Sequence, residues 1–341
     1  MKRRSLVRIG VPTAAFLLFN TACASKDAPL DWLRPAGPIA RDIGGLWTIV
    51  FYVAVGVFFL VEGAILYACV KFRRRKGDNV PPKQTHGNTP LEIGWTIAPA
   101  LILATLAIPT LSGIWALAQE RPNSLHVTVS GHQWWWEYKY ADEEWSSANE
   151  LHIPTGRPVQ VSLESEDVIH SFWVPRLAGK QDVVPGRTNA VTLQADRPGE
   201  FQGTCAEFCG LSHANMRFKV FAHEPADFED WLAEQREEAA EPRSALARKG
   251  RTVLLGAQCV DCHTIRGTKA AGQTAPDLTH FASRTTFAGA IFERDDEEAL
   301  KSWVADAPSE KPGSLMPSGT KTMGLSPEDI EAIVAYLQSL R

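Results

Sequence analysis

The sequence predicts a multidomain protein with a two-helix transmembrane hairpin, an all-β domain and a small all-α domain. Three observations carry this: two long apolar runs in the first third of the chain, short β-rich stretches between Pro and Gly turns in the middle, and amphipathic helical patterns toward the end. At 341 residues the chain exceeds one ordinary core. Hydrophobic residues make up 45% and charged residues 22%, an ordinary balance that hides the bunching of apolar residues near the start. A net charge of −4 gives no basic footprint for nucleic acid, and the basic cluster that exists flanks an apolar run. Nucleic-acid binding is set aside.

Residues 1–24 open M-K-R-R-S-L-V-R and pass through a short apolar core to small residues, the layout of a secretory signal. Cleavage after Ala24 and a lipoprotein-type cleavage ending before Cys23 both fit, although Asn20 stands where the latter prefers an aliphatic residue. Within 25–120, the runs Leu46 to Val70 and Ile93 to Ala118 predict membrane helices over about 46–70 and 94–118, since roughly 20 helical residues cross a hydrocarbon core. The intervening K-F-R-R-R-K places that loop inside and everything after Gln119 outside. Glu62 puts a carboxylate within the first helix; it reads as a functional group or as a protonated or interface-facing structural one.

Residues 121–225 contain L-H-V-T-V-S, V-Q-V-S-L and A-V-T-L-Q, which predict a sandwich or barrel. Residues 226–242 place Phe228, Trp231 and Leu232 on one face of an acidic linker helix. Residues 243–341 are helical in pattern, with Ser326 as an N-cap and Pro327 at the first position of the last helix.

An exported chain with six cysteines would be expected to hold three disulfides, but the spacing argues otherwise. Cys23 belongs to the signal region and Cys69 to the cytoplasmic end of the first membrane helix, while the other four form two close pairs beside metal-ligand partners. C-A-E-F-C-G-L-S-H-A-N-M puts Cys205, Cys209, His213 and Met216 in one short loop. This soft donor set suits copper, whereas a closed zinc site would not normally use Met. His170, in D-V-I-H from an earlier strand, would complete a two-copper site whose bridging thiolates share one electron over both ions. The bland alternative is a disulfide beside a polar loop residue and a core methionine.

That loop, D-V-I-H, V-V-P-G-R and the aromatic run G-H-Q-W-W-W-E-Y resemble cytochrome c oxidase subunit II, from the hairpin through about Ala222. The resemblance implies an external cupredoxin-like domain and a dinuclear copper centre held by His170, Cys205, Cys209, His213, Met216 and the backbone carbonyl of Glu207. It also implies a magnesium ion on the Glu207 side chain at the boundary with subunit I, and Trp134 as the place where electrons from cytochrome c are received. Trp134 to Trp136 otherwise read as sandwich core. Glu92, in L-E-I-G-W-T-I-A-P, resembles a carboxylate at the mouth of a proton path, or is a solvated residue before a helix.

C-V-D-C-H is the covalent attachment sequence for haem c: Cys259 and Cys262 supply thioethers and His263 the proximal ligand. A-P-D-L around Pro276 and P-G-S-L-M-P around Met316 resemble a cytochrome c domain and imply Met316 as distal ligand, favoured over Met323, which lacks the following Pro. His280 is either an axial ligand or a surface or packing residue, the latter being the commoner role.

The whole order resembles caa-type haem-copper oxidases, proton-pumping translocases of the bacterial cell membrane with the copper and haem domains on the outer face. The implied partners are oxidase subunit I and other oxidase subunits, membrane lipid, and cytochrome c or a membrane donor complex. Oxygen chemistry would reside in subunit I, leaving no catalytic residue in this chain. A quinol oxidase subunit would lack the copper ligands, and a copper-delivery protein would need no haem. The remaining alternative is a tethered copper and haem shuttle for another reductase. Asp142, Glu143, Glu144, Glu164, Glu166 and Asp167 are either a docking face or solvated charges.

Overall fold

A computed structural model describes residues 28–341 apart from 76, 78–80, 82, 83 and 85. The signal reading of 1–24, with its alternatives at Cys23 and Ala24, lies outside these. Helices α1 (Pro38–Lys71) and α2 (Thr89–Ala118) are both long and apolar enough to cross a membrane. Both begin earlier than expected. At 34 residues, α1 is about 50 Å long and outruns the hydrocarbon core. Its first turns join the outer domain instead: Ile39 enters the sandwich core, Ala36 N–H donates to Arg176 O at 2.8 Å, and Arg41 pairs with Asp196. A Cβ on Gly37 would stand 1.8 Å from Gln194 O, so only glycine permits this approach. The start of α2 is set by Asn88, whose side chain accepts from Leu91 N–H at 3.3 Å, and by Pro90 in the first turn. Apolarity alone had placed both starts too late.

Ten strands form a sandwich: β1 (Leu125–His132), β2 (Trp135–Tyr140), β3 (Ser146–Ala148), β4 (Glu150–Pro154), β5 (Val159–Ser165), β6 (His170–Trp173), β7 (Gln181–Val183), β8 (Asn189–Leu193), β9 (Gly199–Cys205) and β10 (Arg217–His223). One sheet runs β3-β2-β1-β5-β8 and the other β4-β10-β9-β6-β7. Pairs β1/β5 and β4/β10 are parallel, and the other pairs are antiparallel. Alternation on β2 buries Trp136, Tyr138 and Tyr140 while Lys139 faces outward. Trp136 packs edge-on to Phe172 and is core, as one reading of the aromatic run had it.

The expected linker helix over 226–242 is corrected. Helix α3 spans only Pro225–Arg236 and belongs to the sandwich: Phe228 and Leu232 enter its core, Trp231 stacks on His152 at 4.1 Å, and Arg236 pairs with Glu143. The chain then runs extended through the Glu-rich stretch toward Pro242.

The helical domain contains α4 (Ala245–Gly256), the short α5 (Cys259–Cys262), β11 (Thr286–Phe287), β12 (Phe292–Glu293), α6 (Glu297–Glu310) and α7 (Pro327–Leu337). Asp306 breaks α6 with φ −158° two residues ahead of Pro308. Ser326 caps α7 as expected: its side chain accepts from Asp329 N–H at 3.2 Å and Asp329 Oδ2 accepts from Ser326 N–H at 3.3 Å. Ser326→Ala is expected to cost about 1 kcal/mol and lower the unfolding midpoint of this domain by about 4–8 °C in calorimetry.

Candidate metal centre

Strands β6 and β9 lie side by side with Phe172 opposite Cys205, so His170 and Cys205 meet at one end of the sheet. The loop between β9 and β10 then folds back over them. Cys205 N–H donates to Met216 O at 3.0 Å, and a single turn over His213–Asn215 returns the chain to β10. The predicted donors converge: Cys205 Sγ lies 3.8 Å from Cys209 Sγ, 4.0 Å from His170 Nδ1 and 3.2 Å from Glu207 O. Cys209 Sγ lies 3.5 Å from His213 Nδ1 and 3.8 Å from Met216 Sδ.

Both thiols are free, and their separation is nearly twice a disulfide bond of about 2.05 Å. Their contact with each other pulls the Cys205 pKa down and pushes the Cys209 pKa up, a result of one proton held between two buried sulfurs. His170, Cys205 and Cys209 present ligand atoms all within 4.8 Å of one another. Two thiolates, two imidazoles, a thioether and a carbonyl around one small volume fit copper far better than a hard cation.

Asp167 orients His170. Its Oδ1 sits 2.8 Å from His170 Nε2, which leaves Nδ1 facing the sulfurs, and its Oδ2 accepts from Gln133 N–H at 2.6 Å. A Cβ on Gly131 would stand 2.9 Å from His170 Cδ2, so that glycine makes room for the ring. Asp167 was read with the outward acids, as was Glu143, which instead pairs with Arg236 and accepts from Trp145 Nε1–H at 3.0 Å. Three residues earlier than a histidine ligand is the signal that could have found Asp167. Glu207 is exposed.

Trp134 is 7% exposed, and its Nε1–H donates to Cys209 O at 3.0 Å. Gln133 Nε2 donates to the same carbonyl at 2.7 Å. Lys311, from the helical domain, donates to Trp134 O at 2.6 Å, and burial lowers its pKa to about 7 against a smaller opposing pull from Cys209. Nothing in the sequence around Lys311 distinguishes it from a surface lysine.

In the helical domain, Cys259 and Cys262 are free, and burial raises the Cys259 pKa. His263 Nδ1 lies 2.7 Å from Pro276 O and donates to it, which leaves Nε2 available as a ligand. The donor set and this orientation fit a covalently attached haem. Met316 and Met323 are both half-buried in the segment between α6 and α7. His280 is buried, 3.1 Å from Glu237 O, consistent with packing. Glu92 has a local role: its Oε1 accepts from Asn88 N–H at 3.1 Å at the start of α2. Glu62 is exposed on α1, within the span long enough to cross a membrane.

The family model for the cytochrome c oxidase subunit II transmembrane domain matches residues 29–112, that for its periplasmic domain matches 143–222, and that for cytochrome c matches 247–341. A cytochrome c oxidase subunit 2 from Alkalihalophilus pseudofirmus is 39% identical over 337 residues, covering 97% of this chain and 96% of that protein. One from Bacillus subtilis is 35% identical over 334 residues, covering 92% of each. Among solved structures, the periplasmic domain of cytochrome oxidase subunit II from Bradyrhizobium japonicum matches with 27% identity and a TM-score of 0.33, covering 36% of this chain and 100% of that one.

Proposed function

Because this chain belongs to the cytochrome c oxidase subunit II family and carries a cytochrome c domain, we propose that it is the electron-relaying subunit II of a proton-pumping terminal oxidase in a bacterial cell membrane. Electrons from cytochrome c or a membrane donor complex pass through its covalent haem c and dinuclear copper centre to subunit I, where oxygen is reduced. The convergence of Cys205, Cys209, His170, His213, Met216 and Glu207 O on one small volume is the observation that carries this reading.

When bound, the two groups supply one-electron redox chemistry with little change of geometry. The residues do the rest. Cys205 and Cys209 would hold the metal as thiolates, and Asp167 holds His170 in the tautomer that presents Nδ1. His170 and Cys205 sit on the strand ends and the remaining donors on the loop folded over them, and Cys205, Cys209, His170 and Met216 are each buried away from water. His263, fixed by Pro276 O, would take the proximal position, with Cys259 and Cys262 as thioether anchors and Met316 as distal ligand. The exposed Glu207 carboxylate would share a magnesium ion with subunit I, and Glu92 would stand at the mouth of a proton path.

A reduced-minus-oxidised spectrum of the complex purified from its own membranes, with oxygen uptake recorded on the same sample, tests this. Haem c together with subunit I haem and oxygen consumption is expected; haem c alone with no uptake would make the chain a tethered shuttle. In the same complex, Met216→Leu is expected to perturb the copper spectrum and slow turnover about tenfold or more while leaving the haem c bands intact.

A further inference from the structure

The family resemblance gives Trp134 to electrons arriving from a separate cytochrome c, yet here the chain's own helical domain covers it. The indole is tied to the metal loop through Cys209 O. On its other side Gly313, φ 84°, approaches so closely that a Cβ there would stand 2.5 Å from Trp134 Cη2. Gly313 lies three residues before Met316, so the segment read as carrying the distal ligand also touches the tryptophan.

Two buried polar side chains hold this contact. Glu150, 3% exposed on β4, accepts four hydrogen bonds from the helical domain: from Thr285 N–H and hydroxyl at 2.8 and 2.7 Å, and from Thr286 N–H and hydroxyl at 2.8 and 3.0 Å. Lys311, 4% exposed, runs the other way and donates to Trp134 O and to Ala288 O at 2.8 Å. Ala288, Gly289 and Ala290 all take left-handed backbone, with φ of 57°, 83° and 56°. Two of these are alanines, for which that conformation is unfavourable locally. Its carbonyls are used on both sides of the contact: Ala288 O accepts from Lys311 within the helical domain, and Gly289 O accepts from Arg217 N–H across the seam at 3.1 Å. Ser212 Oγ donates to Pro312 O at 2.6 Å at the same seam. Burying both groups is offset by these hydrogen bonds, which form only when the two domains meet in this register, so the seam specifies orientation as well as contact.

The geometry points to Lys311 and Glu150 as positioning residues that keep the helical domain seated on Trp134, in the register where Gly313 meets the indole. This rests on the reading of the two domains as haem and copper carriers. Each transfer moves one electron, oxidising the haem iron and reducing the copper pair by one, with no bond made or broken.

The test uses the intact oxidase complex and compares wild type with the double variant Glu150→Gln, Lys311→Met and with Gly313→Val, which disturbs the seat without changing either side chain. Amide hydrogen exchange reads the docking at residues 133–136 and 285–289, independently of any cofactor. Photoreduction of the haem reads the internal transfer. Slow exchange in wild type is expected, becoming about tenfold or more faster in both variants. Internal transfer is expected to slow about tenfold or more in both while the haem and copper spectra hold, because contact across Trp134 is intermittent once the seat opens. Fast exchange in wild type, unchanged exchange in the double variant, or undiminished transfer in a variant shown to be undocked each overturns the proposal. If haem or copper is missing from the wild-type complex, the functional reading fails instead, and exchange still decides whether the domain is seated.

Discussion

Cys209→Ser is expected to remove the copper centre almost completely while leaving the haem c spectrum at full strength. Cys209 Sγ meets three other donors of the cluster, 3.8 Å from Cys205 Sγ and Met216 Sδ and 3.5 Å from His213 Nδ1. In the proposed two-copper centre both sulfurs would serve as ligands, and a serine hydroxyl is a hard donor that stays protonated at neutral pH. Removing a partner that merely orients a ligand costs about 10–100-fold in metal affinity, so losing a ligand itself costs more than about 100-fold.

The same change is nearly silent for folding. Serine is close in volume, and its hydroxyl can donate to the neighbouring sulfur. The cysteines proposed to anchor the haem, Cys259 and Cys262, lie in the helical domain, where Cys259 packs against a separate core. Metal analysis and visible spectra of the purified complex therefore separate the outcomes. Haem without copper, and electrons that stop at the haem, is the expected pattern. Two copper ions retained per chain would remove Cys209 from the ligand set and with it the bridged centre.

Why the metal loop was legible when its supports were not follows from sequence distance. Cys205, Cys209, His213 and Met216 sit within one turn of chain, where spacing and donor type speak together, and His170 was found through its own local context. Glu150 and Lys311 look like any surface acid and base, because their meaning comes only from burial against a second domain, at Thr285 and at Trp134. Asp167 was hidden in the same way among neighbouring acids. The hairpin was legible from apolarity, but its outer ends were not. The residues before Leu46 are helical because they pack on the sandwich through Gly37 and Arg41, a tertiary cause that hydropathy does not register. Helix α3 looked like a connector since its polar face is strongly acidic; its buried Phe228 and Leu232 make it part of the sandwich.

Gly250→Val is expected to be the most damaging single change in the helical domain. Gly250 lies inside α4 where that helix crosses α7, and a Cβ there would stand 1.8 Å from Ala332 O and 2.9 Å from Tyr336 Cβ. Glycine within a helix costs about 1 kcal/mol relative to alanine, so its presence is explained by the close approach it allows. Valine must push α7 outward, and α7 carries Ile330, Ile333, Val334, Tyr336 and Leu337 into the core. The helices cannot separate at one point without opening gaps around those residues, which puts the cost at about 3 kcal/mol or more. For a domain of this size, that lowers the unfolding midpoint by about 12–24 °C. Gly256→Ala is the control: it lies in the same helix with nothing within 4 Å of the added carbon, so it is expected to be neutral. Calorimetry of the complex, with copper and haem c spectra followed during heating, tests the pair. Early loss of the haem c signal with the copper spectrum holding to its usual temperature is expected for Gly250→Val. Equal melting of the two variants would mean that α4 and α7 do not meet at this glycine.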